Sequence, residues 1–325
     1  MKILGTGAAL PAQRVTAAEV DARLGKPEGW SFGLTGVQSR AVAGAESQID
    51  LGLTAATQAL QDAGLTANAL DLIVFAAAVP YQTLPSTAPL IQRGLGLADG
   101  AVATFDINTT CLSFLTAMET VDALLRTGRY RHALIVSSEI ASRGLPWADQ
   151  PEVAALFGDG AAAAVFGPGK GLRAARFRSY PSAYDACQIS AGGTRFSLAD
   201  QPEAFAAHST FQMDGRDLFR LTASHFAGFV ADLLADAHLA VDEIDLVVPH
   251  QASPKALAHM IRLCGFDAGK VVNIAALHGN QIAASLPFGL DHARRAGFVA
   301  KGGRVLMLGT SAGVSFGGLV LDIDT

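Results

Sequence analysis

AVATFDINTTCLSFLTAM, residues 101–118, joins an apolar run, a polar turn and a helical pattern. The run Ala101–Ile107 is typical of a buried strand, and Asn108-Thr109-Thr110 form the turn. Cys111 follows this turn, at the start of the helical pattern. A cysteine in this place lies at the positive end of a helix dipole, which we expect to lower its thiol pKa and favour the nucleophilic thiolate. The segment therefore predicts an α/β fold with a reactive cysteine; a buried, inert cysteine is the alternative.

The alternation of apolar runs with helical patterns continues along the chain. Further strand-like runs are Leu72–Ala78, Ala133–Ser137, Ala161–Phe166, Leu246–Pro249, Val271–Ile274 and Val305–Leu308. Helical patterns are Gln48–Ala63, Thr87–Arg93, Leu112–Arg126, Asp217–Ala235, Lys255–Cys264 and Ala283–Ala296. Short, nearly continuous apolar runs between helices are typical of strands buried on both faces. The pattern therefore predicts a layered α/β fold.

Two passages suggest an internal duplication. Asp71-Leu72-Ile73-Val74 and Asp245-Leu246-Val247-Val248 each follow a helical pattern and begin a strand-like run. The most glycine-rich break in the middle of the chain is Gly167-Pro168-Gly169-Lys170-Gly171. We therefore predict two halves of similar size. Residues 1–168 carry the cysteine nucleophile, and residues 169–325 carry the candidate catalytic residues His250 and Asn280.

Composition excludes several classes of protein. The chain has 325 residues, of which 50 % are hydrophobic and 16 % charged, so it can bury a large core. Its net charge of −5 argues against nucleic-acid binding. Three cysteines do not make a disulfide framework and suit a reducing compartment. The first residues lack the apolar core of a secretion signal and no long uncharged apolar run follows, so we expect a cytoplasmic protein without a membrane span.

Two further polar residues follow strand-like runs. His250 comes directly after Leu246–Pro249, and Asn280 follows Val271–Ile274. Taken singly, the histidine could be an ordinary buried side chain and the asparagine a turn or helix cap. Together with Cys111 they make a known catalytic set, which predicts nucleophilic catalysis at the ends of strands.

Papain-like proteases use the same residue types in the same order. Their cysteine signature is absent around Thr110-Cys111-Leu112-Ser113, and Cys111 is far from the N-terminus. A protease is therefore disfavoured.

Gly5-Thr6-Gly7 lacks the third glycine of a dinucleotide loop and is interpreted as a turn. Gly158-Asp159-Gly160 precedes a strand rather than a helix, which disfavours a phosphate loop, and no Cys/His spacing indicates zinc or another metal.

Five ordered motifs resemble the β-ketoacyl-acyl-carrier-protein synthase III group of the thiolase superfamily. They are Asp106-Ile107-Asn108-Thr109-Thr110-Cys111, Phe157-Gly158-Asp159-Gly160-Ala161-Ala162, His250-Gln251-Ala252, Gly279-Asn280 with Ala283-Ala284-Ser285-Leu286-Pro287, and Gly313-Val314-Ser315-Phe316-Gly317. The resemblance implies a thiolase fold, with duplicated halves in a five-layered α-β-α-β-α arrangement, and a homodimer. It also implies an acyl carrier protein as partner.

The resemblance also implies roles for single residues. The catalytic residues would be Cys111, His250 and Asn280, with the backbone N–H groups of Cys111 and Ala312 as the oxyanion hole. Substrate contacts fall on Trp30, Leu84 and Ser253, and the carrier-protein docking cations on Arg220, Lys255 and Arg262. Ser253 stands where the family usually has asparagine, and Leu34 where it has an arginine. Coenzyme A is therefore expected to bind weakly, or the primer to arrive on a carrier protein.

The implied reaction has two steps. Cys111 takes an acyl group from a thioester, and a malonyl thioester then loses carbon dioxide and attacks the acyl group. Coenzyme A or phosphopantetheine thioesters are substrates, and no metal or redox cofactor is expected. Two alternatives stay open. One is an acyltransferase of the same fold, or a secondary-metabolite condensing enzyme, that uses a non-malonyl acceptor; the other is a non-catalytic homologue.

Overall fold

The computed structural model describes residues 1–323, so the last two residues of the predicted second half, Asp324 and Thr325, lie outside the described residues. The strands are β1 Lys2–Ala9, β2 Gln13–Thr16, β3 Ser39–Val42, β4 Leu72–Ala76, β5 Ala103–Ile107, β6 Ala133–Glu139, β7 Gly160–Gly167, β8 Leu172–Ser179, β9 Cys187–Gln188, β10 Gln212–Met213, β11 Leu246–Pro249, β12 Arg304–Ser311 and β13 Ser315–Asp322. The α-helices are α1 Ala17–Arg23, α2 Trp30–Thr35, α3 Gln48–Asp62, α4 Ala88–Gly94, α5 Ser113–Arg126, α6 Pro151–Ala154, α7 Pro202–Ala207, α8 Gly215–Asp236, α9 Pro254–Cys264, α10 Ala275–His278 and α11 Ser285–Arg295.

Two larger sheets form the frame of the molecule. The first has the strand order β1-β7-β6-β4-β5, and the second has the order β8-β13-β12-β11. A parallel bridge between Val247 and Val271 extends the second sheet by one position beyond β11. In both sheets the first two pairs along this order are antiparallel and the remaining pairs are parallel. The two sheets therefore repeat one topology, as expected of an internal duplication; the division at residue 168 itself stays a prediction.

Alternate residues of each strand face different layers of the core, because side chains in a strand point to opposite faces. Leu72 and Val74 belong to a central cluster that also holds α5, α11 and residues of the second sheet, whereas Ile73 and Phe75 pack with α3. On the other side of the second sheet, residues of α8 and α9 form a third cluster. The order is thus helix, sheet, helix, sheet, helix, and the predicted five-layered α/β arrangement is confirmed.

Local sequence explains where the main outer helix of the first half begins. Ser47 caps α3: its Oγ accepts a hydrogen bond from the backbone N–H of Asp50, whose carboxylate accepts one from the backbone N–H of Ser47. Reciprocal bonds of this kind satisfy two backbone donors at a helix start. Alanines 55, 56 and 59 on the buried face of α3 let the helix lie close to β1 and β7.

The interpretation of Gly5-Thr6-Gly7 as a turn is wrong, because these residues lie inside β1. A Cβ at Gly5 would come within 2.4 Å of the Ala59 carbonyl oxygen, and one at Gly7 within 2.3 Å of the Ala55 carbonyl oxygen. The glycines therefore allow β1 to approach the backbone of α3. Close approach between layers, and not chain reversal, explains them.

Helix α8 has 22 residues and is long and apolar enough to cross a membrane by length and composition alone. Phe226, Phe229 and Leu233 are nevertheless buried in the third core cluster. The far end of the helix forms ion pairs, since Arg176 of β8 bonds Asp232 at 3.0 Å and Asp236 at 2.7 Å. In this fold the helix is the outer layer over the second sheet.

Candidate active site

The turn that carries Cys111 meets the loops that follow β11 and α10. A 3-10 turn, Thr110–Leu112, lies against β12 and against a second 3-10 turn, Ile282–Ala284, which follows Asn280. A Cβ on Gly309 of β12 would lie 2.6 Å from the Cβ of His250 and 3.4 Å from Leu112. The absence of a side chain at Gly309 thus lets the turn and the histidine loop meet. The structure brings the backbones carrying the three predicted catalytic residues together at one end of both sheets.

The backbone is strained on either side of the site. Thr110, directly before Cys111, has a φ of +51°, and Ile282, two residues after Asn280, also has a φ of +51°. A positive φ is rare for a β-branched residue and is found mostly where surrounding structure imposes it for function. At Thr110, the Ser113 hydroxyl donates to its carbonyl at 2.6 Å and accepts from the backbone N–H of Thr109 at 3.0 Å. These bonds hold the turn that presents Cys111.

The prediction of a lowered thiol pKa at Cys111 is wrong for the resting enzyme. Burial raises the pKa of the Cys111 thiol well above its ordinary range, and the nearby thiol of Cys187 and carboxyl of Glu139 add to the effect. The backbone N–H groups of Cys111 and Ala312 act in the opposite direction. The same two N–H groups are those predicted to form the oxyanion hole, and both lie close enough to the Cys111 sulfur to influence its pKa. At Cys111 the loss of hydration on burial therefore changes the thiol pKa more than the dipole at the helix start does.

His250 is a neutral, buried imidazole with 5 % exposure. Burial lowers its pKa to about 4, and its Nδ1 lies 2.6 Å from the Oγ of Ser285. A neutral ring carries no charge with which to stabilise a thiolate at Cys111. A neutral imidazole can still donate one hydrogen bond.

Gln251 joins the histidine loop to the loop that leads to Asn280. Its side-chain nitrogen donates to the carbonyl oxygens of Pro249 at 2.9 Å and Val272 at 3.0 Å. Its side-chain oxygen accepts from the backbone N–H groups of Ile274 at 3.0 Å and Ala275 at 3.1 Å. The predicted strand Val271–Ile274 is reduced to the single bridge at Val271, because Gln251 binds the backbone beyond that bridge in place of a neighbouring strand.

Asn280 is held by close backbone packing. Its backbone N–H donates to the Leu156 carbonyl at 2.8 Å, and its carbonyl accepts from the backbone N–H of Gly158 at 3.1 Å. A Cβ on Gly158 would lie 2.2 Å from the His278 carbonyl oxygen, so this contact requires glycine. The side-chain Oδ1 accepts from the backbone N–H of Ile282 at 2.8 Å. The amide oxygen is thus occupied, and the amide nitrogen remains as the donor.

Reasoning from the sequence assigned no role to three polar residues that support the site: Gln251 and Ser285, which were quoted only as parts of motifs, and Glu139, which was not singled out. Glu139 is 1 % exposed at the end of β6, and its carboxylate accepts from the backbone N–H of Ala78 at 2.6 Å. Burial raises the pKa of Glu139 to about 8, so the group is mainly protonated at neutral pH. A polar residue at the end of an apolar strand was the available signal for Glu139.

The three predicted substrate-contacting residues lie at the periphery. Trp30 begins α2 and is partly exposed, with the Lys26 ammonium 5.4 Å from its ring centre. Leu84 is 83 % exposed and precedes a cis proline. The Ser253 Oγ accepts from the backbone N–H of Ala256 and so caps α9. Leu34 lies in α2 and is 45 % exposed.

The predicted docking cations lie on two neighbouring helices. Arg220 is on α8, where it forms an ion pair with Asp217 at 3.3 Å, and its side chain is 78 % exposed. Lys255 and Arg262 are on the exposed face of α9, and the Lys255 ammonium donates to the Gly33 carbonyl at 2.8 Å. An exposed Phe219 packs on His259 between the two helices, with ring centres 4.8 Å apart. We call these three cations with Phe219 the α8–α9 surface.

Known proteins share this arrangement over the whole chain. Beta-ketoacyl-[acyl-carrier-protein] synthase III of Rhodospirillum rubrum is 36 % identical over 324 residues, covering 97 % of each chain. The crystal structure of 3-oxoacyl-(acyl carrier protein) synthase III from Pseudomonas aeruginosa matches with a TM-score of 0.88 and 30 % identity, covering 100 % of this chain and 98 % of that one. The priming beta-ketosynthase of the R1128 polyketide pathway matches with a TM-score of 0.91 and 28 % identity, covering 99 % and 96 %. These matches confirm the thiolase fold.

Family models match both halves of the chain. The model for 3-oxoacyl-[acyl-carrier-protein] synthase III matches residues 105–181, and the model for its C-terminal part matches residues 234–323. The first match includes Cys111, and the second includes His250 and Asn280. Together with the full-length relative at 36 % identity, they show that this chain belongs to the 3-oxoacyl-[acyl-carrier-protein] synthase III family.

Proposed function

We propose that the protein is a condensing acyltransferase that joins an acyl group from a thioester to a malonyl thioester carried by acyl carrier protein. The observation that carries this proposal is the pair of neutral donors near the cysteine. The amide oxygen of Asn280 is bound by Ile282, and His250 is uncharged at neutral pH, so each can offer an N–H group to an oxygen that becomes negative. Such donors stabilise the enolate that remains when a malonyl thioester loses carbon dioxide.

In the first half-reaction the Cys111 sulfur attacks the carbonyl carbon of the acyl thioester. The oxygen that becomes negative accepts hydrogen bonds from the backbone N–H groups of Cys111 and Ala312, which already act on the sulfur. The new carbon–sulfur bond forms as the old one breaks, and the proton of the Cys111 thiol leaves with the departing thiol. Because its surroundings raise the pKa of the Cys111 thiol, the thiol loses its proton as it attacks the bound thioester.

In the second half-reaction a malonyl thioester occupies the same site. His250 and Asn280 donate to its thioester carbonyl oxygen while the carboxyl carbon leaves as carbon dioxide. The resulting carbanion attacks the acyl group on Cys111, and the cysteine sulfur leaves as a thiolate, which takes up a proton from water to restore the resting thiol. A carboxylate in place of Asn280 would repel the enolate, which explains the use of an amide. Electrons move only between carbon, sulfur and oxygen in these steps, so the scheme uses neither a metal ion nor a redox cofactor.

We also propose that acyl carrier protein docks on the α8–α9 surface. Carrier proteins of this kind are acidic, and Arg220, Lys255 and Arg262 give this surface positive charge although the whole chain carries −5. Phe219, 57 % exposed, adds an apolar contact. The exposed Leu34 on α2 leaves no cation at that position for a coenzyme A phosphate, which favours a carrier-bound primer.

A homodimer is proposed on separate grounds. Strand β5 is an edge of the first sheet, and its outer backbone groups have no partner strand within residues 1–323. The strand carries the apolar side chains of Phe105 and Ile107, and each of its residues is only partly buried. A second copy could pair along this edge and bring its Leu84 loop to the neighbouring site. Light scattering should then give twice the mass of one chain.

The free cysteines suit the cytoplasm as the proposed location.

The main alternative is an acyltransferase of the same fold, or a secondary-metabolite condensing enzyme, that uses a non-malonyl acceptor. The likeness to a priming beta-ketosynthase of a polyketide pathway supports the secondary-metabolite version. The test is to give the acylated enzyme either a malonyl thioester labelled in its free carboxyl group or an alcohol or amine acceptor. Release of labelled carbon dioxide together with a β-ketoacyl product supports condensation. Transfer of the acyl group to the alcohol or amine without carbon dioxide release would support the alternative.

A further inference from the structure

The imidazole of His250 is held at one of its two ring nitrogens. Its Nδ1 lies 2.6 Å from the Oγ of Ser285, the first residue of α11. Ser285 is fully buried, and the backbone N–H of Gln251 donates to the same Oγ at 3.3 Å. The serine oxygen is therefore placed between a fixed backbone donor and a ring nitrogen that can either donate or accept.

The hydrogen atoms decide between these two possibilities. The backbone N–H of Gln251 can only donate, so the serine oxygen accepts there. Within residues 1–323 the only other group bonded to this hydroxyl is Nδ1 of His250. If Nδ1 also donated, the hydroxyl hydrogen would have no acceptor in a fully buried place, which is unfavourable. With Nδ1 as the acceptor, each of the three groups uses its hydrogen-bonding capacity.

We infer that Ser285 is a positioning residue: its hydroxyl donates to Nδ1 of His250 and fixes the neutral imidazole in the tautomer that carries its hydrogen on Nε2. No hydrogen bond inside the described chain uses Nε2. This nitrogen, with its hydrogen, is thus available to the substrate carbonyl.

The inference rests on the role proposed above for His250. An imidazole that stays neutral has a single N–H group, so it donates to an enolate oxygen only in this tautomer. In the other tautomer a lone pair on Nε2 would face the negative oxygen. Ser285 would therefore act on the decarboxylation step and not on acylation, in which the backbone N–H groups of Cys111 and Ala312 are the donors.

The direct test is nitrogen NMR of the full-length protein labelled with ¹⁵N in its histidine rings, with His250→Ala used to assign the signals. It needs no change at Ser285, so it does not depend on how a variant folds. The wild-type protein at pH 7 should show Nδ1 of His250 without hydrogen and Nε2 with hydrogen. A protonated Nδ1 would overturn the inference, whether or not the enzyme releases carbon dioxide.

Variants add a kinetic test. Ser285→Ala should populate both tautomers and slow single-turnover decarboxylation by about tenfold, while acylation of Cys111 changes little. Ser285→Thr retains a hydroxyl and should restore both the tautomer and the rate. The matched control is Ser137→Ala, because Ser137 is equally buried but its hydroxyl donates to the Ala76 carbonyl. A Ser285→Ala protein with the wild-type tautomer and rate would overturn the inference. A wild-type enzyme that releases no carbon dioxide would instead count against the proposed function.

Discussion

The side-chain oxygen of Asn280 accepts a hydrogen bond from the backbone N–H of Ile282 at 2.8 Å. Ile282 has a positive φ of 51°, which is unusual for a β-branched residue. The strained backbone thus supplies the donor that settles which end of the amide remains free. Because the oxygen is occupied, the NH₂ group is the end that can meet a substrate. This relationship gives Asn280 the chemical character of a donor.

Replacing Asn280 with Asp should spare acylation and slow decarboxylation by about a hundredfold. One carboxylate oxygen can still accept from Ile282, but the other brings a lone pair and negative charge to the enolate. Single-turnover rates of the two half-reactions measure this. Asn273→Asp is the control, since Asn273 is exposed on the same segment. Equal losses in both half-reactions would remove Asn280 from the proposed role.

Replacing Cys111 with Ala should abolish the acyl-enzyme. Cys264 lies at the end of α9 and is not placed beside the site loops, so Cys264→Ala should be acylated as the wild type is. Mass spectrometry of the intact protein and of its peptides after incubation with an acyl thioester checks both variants. An adduct on Cys187 or Cys264 formed at the wild-type rate in the Cys111→Ala protein would contradict the assignment.

The pH dependence of decarboxylation should reflect a histidine that is already neutral. Because burial lowers the pKa of His250 from 6.5 to about 4, the rate should be flat from about pH 5 to 7 and fall only as pH approaches 4. The unfolded chain binds a proton on this ring below about pH 6.5, whereas the folded chain resists it, so the free energy of unfolding should decrease as pH drops from 6.5 toward 4. An inflection of the decarboxylation rate near pH 6.5 would contradict the claim that His250 is a neutral donor between pH 5 and 7.

Replacing Gly7 with Ala should destabilise the fold by about 1–3 kcal/mol or more, because the new Cβ would meet the backbone of α3. That Cβ would lie 2.3 Å from the Ala55 carbonyl oxygen and 2.6 Å from the Ala59 nitrogen. The control is Gly228→Ala in α8, where nothing lies within 4 Å of the new atom. This change should stabilise the protein by about 0.5–1 kcal/mol. Urea unfolding midpoints compare the two, and equal stability of Gly7→Ala and wild type would show that β1 can move away from α3.

The sequence predicted the parts of the fold that depend on local pattern. The strand Leu246–Pro249 has the predicted bounds, and α3 and α9 differ from prediction by one residue. Strand β8 was missed because arginines interrupt its apolar pattern, including Arg176, which forms ion pairs with α8. Long-range contacts of this kind are not visible in a window of neighbouring residues.

The chemistry of the site was predicted less well than its residue types. The helix start before α5 suggested an acidic thiol, but the burial of Cys111 depends on layers contributed by distant parts of the chain and has the larger effect. In the same way, Ser285 is 35 residues from His250 and Gln251 bonds to residues 21 and 23 positions away. Hydrogen bonds between residues so far apart in the sequence can be identified only from the folded structure.

The central claim is that acylated Cys111 consumes a malonyl thioester by decarboxylation, with His250 and Asn280 as neutral donors. The most direct measurement is single-turnover release of labelled carbon dioxide from a malonyl thioester by enzyme already acylated on Cys111. The account predicts one carbon dioxide released for each acyl group consumed in wild type, and about a hundredfold slower release in Asn280→Asp. Loss of the acyl group to water or another acceptor without carbon dioxide release would contradict it.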